Sequence, residues 1–204
     1  MSRNSPAPPY FGVLDAAGIP HHILQIAFSV AMLVGISPVV AQDWKWLFIY
    51  PDEGIASVNE LAFPAAVPLN LKITSDTVMN SFFLPALSGQ IYAMAGMQTQ
   101  LNLMAGAPGR FRGRNTQYSG DGFSDQHFDA IAMAQDDFAA WVEKVRRDGE
   151  TLDAESYAEL AKPSIAEPVG YYATVEPGLF EGIIRKYAGS GAHAAAEHLE
   201  AESQ

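Results

Sequence analysis

The chain has 204 residues, 49% of them apolar and only 17% charged, with a formal net charge of −11. The acid excess argues against a nucleic-acid binder, because phosphate backbones are held by Lys and Arg clusters. The lack of any cysteine rules out disulfides, thiolate nucleophiles and thiolate-bound metals, and the low charge content points to surface buried against a partner or a membrane.

Charge and pattern divide the chain into four regions. Residues 1–40 are neutral, residues 41–132 carry five bases against eight acids, and residues 133–204 carry six bases against fourteen acids. The expected organisation is an N-terminal region over 1–40, a β domain over 41–133, a helical extension over 134–188 and a disordered tail over 189–204. The N-terminal region opens on the polar "MSRNSPAPP". An uncharged run, "ILQIAFSVAMLVGISPVVA", then fills residues 23–41. As a helix it is about long enough to cross a bilayer, so a membrane-associated segment is expected there. A cleaved leader and a buried core segment are the alternatives; Arg3 alone makes a poor leader.

The middle region reads as strands. "DWKWLFIY" is aromatic and β-branched and ends at Pro51. Trp44 and Trp46 alternate along it and are expected to share a face, either in the core or against a partner subunit. "SVNELAF" and "PLNLKIT" alternate apolar and polar residues, with Leu69, Leu71 and Ile73 on one side. "QTQLNLMA", "GRFRGRNTQY" and "HFDAIAMA" follow between Pro/Gly turns. Short strands at this spacing predict a mainly β, antiparallel sandwich or barrel.

After residue 133 the period changes. In "AQDDFAAWVEKVRRDG" the residues Phe138, Trp141, Val142 and Val145 form an amphipathic stripe, with acids at its start and Arg146 and Arg147 at its end. "TLDAESYAELAKP" predicts a second helix capped by Thr151 or Asp153. "EPGLFEGIIRKYAG" predicts a third, closed by Gly189.

Residue chemistry alone shows no active site. His127 and Asp129 in "YSGDGFSDQHFDAIAM" could share a strand face, but two ligands do not make a metal centre. Met79, Met94, Met97 and Met104 are soft donors that copper would accept, although packing in the strand core is the better account of them. "GDGFSD" lacks the lysine of a phosphate-binding loop.

Three segments carry a resemblance: "DWKWLFIYPDEGIASVNELAFP", "VMNSFFLPALSGQIYAMAGMQTQLNL" and "YSGDGFSDQHFDAIA". In this order they resemble subunit II of the haem-copper terminal oxidases, specifically the cytochrome bo type that oxidises ubiquinol. "FAAWVEKVRRDG" through "PGLFEGIIRKY" is similar to the aromatic-rich helical extension of that branch. The resemblance implies a cupredoxin-like Greek-key β-sandwich on the periplasmic side of the bacterial inner membrane, docked on oxidase subunit I. It implies a non-redox scaffold: haems and copper sit in subunit I, ubiquinol reaches the complex and not this domain, and this chain has no catalytic residues and no cofactor of its own. The N-terminal region does not resemble the family, whose members place two membrane helices before the sandwich.

Cytochrome-c-oxidising relatives hold a dinuclear copper centre in this domain, ligated by two Cys, two His, a Met and a Glu carbonyl. Laid onto this sequence, those positions fall on Asn80, Tyr118, Gly120, Gly122, Gln126 and Asp129. The resemblance thus implies a vacated copper site. The expectation is that Asn80 and Gln126 satisfy the loop's backbone and that Tyr118 fills its volume. Two other functions stay open: a copper-binding cupredoxin using Met94, Met97 and His127, and a cytochrome c oxidase subunit II-type electron-entry domain. The absence of cysteine weighs against the second.

Overall fold

A computed structural model describes residues 35–188. Among them, twelve strands form two sheets packed face to face. The seven-stranded sheet has the order β11 (Glu150–Leu152), β12 (Gly170–Val175), β3 (Ile55–Val58), β2 (Lys45–Tyr50), β1 (Gly35–Gln42), β5 (Leu69–Ser75) and β8 (Thr99–Leu103). The five-stranded sheet has the order β4 (Glu60–Pro64), β10 (His127–Met133), β9 (Gly109–Asn115), β6 (Asn80–Phe83) and β7 (Gln90–Ala93).

The sandwich is mixed, which corrects the expectation of an antiparallel one. β1 runs parallel to β5 and β4 runs parallel to β10. Parallel pairs need long connections, and here the intervening chain supplies them by passing through the opposite sheet. The segment "SVNELAF" shows how. Asn59 takes a left-handed backbone (φ 58), so the expected single strand breaks into β3 in one sheet and β4 in the other. The Asn59 side chain holds the corner, accepting from the Trp46 N–H at 2.9 Å and donating to the Glu167 carbonyl at 2.8 Å.

β1 also claims residues that the sequence assigned to a membrane segment. It pairs with β5 from Gly35 to Ala41 and with β2 from Val39 to Gln42. A spanning helix over 23–41 therefore cannot include 35–41; residues 23–34 lie outside the described residues. No helix among the described residues is long and apolar enough to cross a membrane.

β2 is buried along its whole length because it serves two cores. Trp46, Phe48 and Tyr50 face the sandwich interior with Phe63, Phe82, Phe128, Leu71 and Ile73. Leu47 and Ile49 face the other way, into a second cluster with Val40, Ala56, Val58, Leu152, Phe180 and Ile183. This explains an apolar run without alternation, as in strands covered on both faces. Each such side chain contributes roughly 1.5–3 kcal/mol by leaving water.

The C-terminal part supplies that second cover. That cover comes from Leu152, Phe180 and Ile183, whereas helix α1 (Gln135–Asp148) joins the sandwich core, burying Phe138, Trp141, Val142 and Val145, with Asp136 and Asp137 in its first turn and Arg146 and Arg147 in its last. Helix α2 (Ala154–Leu160) is capped by Asp153, not Thr151, which lies in β11. The Asp153 carboxylate accepts from the Ser156 N–H at 2.9 Å and the Ser156 hydroxyl accepts from the Asp153 N–H at 2.8 Å. Helix α3 covers residues 179–188, so the Gly189 closure and the tail lie outside the described residues. The extension is not purely helical: β11 and β12 lengthen the seven-stranded sheet through β12–β3 pairing.

Candidate functional site

The six positions that align with copper ligands do not stay together. Asn80 opens β6 and is fully buried; Gln126, just before β10, is buried as well. Between them sits Asn115 at the end of β9. Its two amide hydrogens serve Asn80 Oδ1 at 2.8 Å and Gln126 Oε1 at 2.8 Å, with Ser119 Oγ at 3.1 Å as a shared third acceptor. Its own Oδ1 accepts from the Ser81 N–H at 2.8 Å and the Gln117 N–H at 2.9 Å. Gln126 then donates to the Gln42 carbonyl at 3.1 Å, tying the loop to β1. One asparagine thus joins β6, β9 and the β9–β10 loop, and Gln126 carries the link on to the other sheet.

The loop wraps one tryptophan. Trp44 Nε1 donates to the Ser119 carbonyl at 2.9 Å. A Cβ on Gly122 would meet the Trp44 ring at 2.4 Å, and Gly120 combines a positive φ of +112° with an approach of 3.0 Å to the same ring. Glycine is required at both places by this close approach. A tight turn over Phe123–Asp125 follows and delivers Gln126 inward.

Tyr118 and Asp129 point elsewhere. Tyr118 is 71% exposed, its ring resting on Phe123 at 5.7 Å, so it does not fill the site as expected. Asp129 lies on the outer face of β10, opposite Arg112 in register and 3.8 Å from Arg110. The strand period explains this: Phe128 and Ala130 turn into the core, so His127 and Asp129 must turn out. The proposed Met94, Met97 and His127 set is also separated. His127 starts β10, while Met94 follows β7, two strands farther across the sheet than the adjacent β9. That is roughly 14 Å at about 4.8 Å per strand, against ligand distances near 2 Å.

The donor set does not fit the copper centre of the cytochrome-c-oxidising relatives. Asparagine, glutamine, serine and glycine offer no thiolate and no imidazole. Among the described residues no group of three or more His, Asp or Glu could hold a metal ion.

Trp44 and Trp46 do not share a face. Trp44 lies in the β1–β2 turn over the loop just described, whereas Trp46 is 0% exposed and packs edge-on to Phe82 at 5.3 Å and Phe128 at 5.8 Å. Trp46 is a core residue and offers nothing to a partner. Its neighbour Lys45 is 1% exposed and reaches the extension, donating to the Lys162 carbonyl at 2.8 Å and to Ser164 Oγ. Ser164 N–H returns a bond to the Asp43 carbonyl at 2.9 Å. Burial pulls the Lys45 ammonium below its ordinary value, and the Glu167 and Asp43 carboxylates partly restore it.

Sequence reasoning missed Asn115 and Ser119. The signal was an Asn closing a strand before a Gly-rich loop, a residue whose side chain readily caps backbone.

Comparison with known proteins bears on this arrangement. The model of a family described as COX Aromatic Rich Motif matches residues 146–191. The chain is 58% identical over 149 residues to ubiquinol oxidase subunit 2 of Acetobacter aceti, covering 73% of this chain and 48% of that protein. It is 53% identical over 151 residues to cytochrome bo(3) ubiquinol oxidase subunit 2 of Pseudomonas putida, covering 74% of this chain and 48% of that protein. The chain therefore spans about half the length of these curated relatives. Its fold matches the crystal structure of the periplasmic domain of subunit II of cytochrome oxidase of Bradyrhizobium japonicum with a TM-score of 0.53 and 23% identity, over 56% of this chain and 94% of that one. The cupredoxin-like sandwich with an aromatic-rich C-terminal part, and more than half of the aligned residues identical, lead to one conclusion: over these shared residues, the chain is similar to subunit II of the ubiquinol oxidases.

Proposed function

We propose that this chain acts as subunit II of a proton-pumping ubiquinol:oxygen oxidoreductase of the aerobic respiratory chain. Its sandwich stands on the periplasmic side of the bacterial inner membrane, docked on a haem-bearing subunit I. It is a scaffold that carries no electrons. The observation that carries this reading is the Asn80–Asn115–Gln126 network at the copper-ligand positions, in a chain without cysteine. Electron entry from cytochrome c would need copper ligands there, and amides are poor donors to it. Ubiquinol, being lipid-soluble, reaches subunit I from the bilayer and needs no relay in this domain. The relatives named as ubiquinol oxidase subunits support this donor.

The proposed organisation is a β domain over 41–133 with an extension over 134–188, and the vacated positions remain Asn80, Tyr118, Gly120, Gly122, Gln126 and Asp129. The half-buried Trp44 is the surviving interface candidate of the two tryptophans.

The test is co-expression of the full chain with its oxidase partners. Co-purification with a haem-bearing subunit and oxygen uptake driven by ubiquinol are expected, without reduction by cytochrome c. Stoichiometric copper in this subunit, located by anomalous scattering, together with cytochrome c oxidation would overturn the reading.

A further inference from the structure

The outer face of the five-stranded sheet carries a basic stripe that the Asn80–Asn115–Gln126 network does not use. Three of the five bases in residues 41–132 are Arg110, Arg112 and Arg114. They alternate along β9 and are all exposed, while Phe111, Gly113 and Asn115 turn inward. Gly113 fixes this orientation: a Cβ there would meet the Phe128 ring at 2.0 Å, so no side chain can point that way. Alternate residues of a strand are about 6.8 Å apart, so the stripe is roughly 14 Å long.

The arginines are thinly neutralised for a chain of net charge −11. Arg110 meets Asp129 only at 3.8 Å and stays largely exposed. Among the described residues no ion pair is found for Arg112 or Arg114. Arg114 instead lies over the Phe83 ring, 5.9 Å from its centroid. Beyond β6, the edge strand β7 presents Tyr92 to solvent.

We propose that this stripe docks an extended acidic segment of a partner protein, with Asp or Glu at alternate positions. An extended polypeptide repeats its side chains on one face every 6.6–6.8 Å or so, which matches the arginine spacing. Each guanidinium can then take one carboxylate with two parallel N–H···O bonds. Phe83 and Tyr92 supply an apolar margin beside it. An anionic bilayer is the weaker fit. It would meet the net negative domain over a broad area, whereas a narrow segment meets only the charges within about 8 Å, the screening length at physiological salt.

The test uses the full chain in neutral detergent and a fluorescein-labelled peptide of alternating Glu and Thr, read by fluorescence anisotropy. A peptide with Gln for Glu is the control, and vesicles of phosphatidylglycerol are tested in parallel by co-sedimentation. The Glu peptide is expected to bind in a salt-sensitive way and the Gln peptide not at all. The R112Q/R114Q double substitution should weaken binding about tenfold. R112K/R114K should recover part of it, because lysine keeps the charge and loses the paired geometry. Both variants should unfold at the wild-type temperature, since these side chains touch no core. Equal peptide binding by R112Q/R114Q, or no binding of the Glu peptide, would overturn the proposal. Vesicle binding that R112Q/R114Q abolishes, without peptide binding, would assign the face to a membrane and overturn it equally.

Discussion

Asn115 uses all of its hydrogen-bonding capacity: its two amide hydrogens are shared among three acceptors and its oxygen accepts twice. Replacing it with alanine leaves the Ser81 N–H and the Asn80 and Gln126 amide oxygens without this partner in a buried place. An unmade buried bond costs about 1–3 kcal/mol, so Asn115→Ala is expected to lose roughly 2–4 kcal/mol in a urea titration. Tyr118→Ala, at an exposed position, should change stability by no more than about 0.5 kcal/mol. The contrast separates a position aligned with a lost ligand from the residue that now organises the loop. Tyr171 gives a pH-dependent counterpart. Its hydroxyl donates to the buried Glu60 carboxylate at 2.8 Å, which also accepts from Trp141 Nε1 at 2.9 Å. Burial first, then the Glu60 bond and charge, push the phenol up to about 12 from an ordinary 10.0. The unfolded chain therefore releases this proton first as pH rises. The contribution is fully present below pH 10 and is lost between about 10 and about 12. Burial pushes Tyr50 and Tyr157 up as well, which adds slope in the same direction. Urea midpoints measured at pH 8, 10 and 11 should fall above pH 10, and Tyr171→Phe should flatten part of that fall.

At the scale of elements, one buried acid ties helices α2 and α3 to the sandwich. Asp76 follows β5, and its carboxylate accepts from Lys186 Nζ at 2.8 Å and from the Tyr157 hydroxyl at 2.7 Å. Its carbonyl accepts from the Tyr187 hydroxyl at 2.6 Å. Helices α2 and α3 thus meet at a single residue of the β domain, and Lys186 is raised above its ordinary value chiefly by this bond. Asp76→Asn keeps an acceptor for Tyr157 but loses the ion pair and presents an amide N–H₂ toward Lys186. The expected cost is about 1–3 kcal/mol. Amide exchange should speed up in residues 154–160 and 179–188 while β5 and β10 keep their protection. Uniform loss of protection would show that the extension is not a separable unit. β2 explains why it is docked so firmly, since Leu47 and Ile49 have only the extension to cover them.

For the whole molecule, the extension completes a second core. A chain ending at Gly149 would uncover Val40, Leu47, Ile49, Ala56 and Val58 on the seven-stranded sheet. Exposed apolar area of this kind promotes association, so this truncation is expected to aggregate in size-exclusion chromatography where the longer chain does not. The sequence by itself determined much here. Alternation placed Leu69, Leu71 and Ile73 inward, the apolar stripe and terminal charges drew α1, and the missing cysteines ruled out thiolate copper, because each of these depends on residue type and near neighbours alone. The resemblance, drawn from three quoted segments, carried the likeness to ubiquinol oxidase subunit 2 and the cupredoxin-like sandwich. Other features were decided by tertiary structure. Trp44 and Trp46 look equivalent in a strand pattern, yet the turn at Asp43 and Trp44 sends one to the loop and one to the core. Residues 35–41 carry the hydropathy of a membrane segment, but β2 and β5 offer their backbone hydrogen bonds that make them a strand. "GYYATV" has strand composition, and only the free edge of β3 gives it a place beside a helical extension. Tyr118 and Asp129 aligned with ligand positions, but the loop conformation and the strand period turn them outward. In each case the deciding contact comes from residues distant in sequence, which local pattern does not encode.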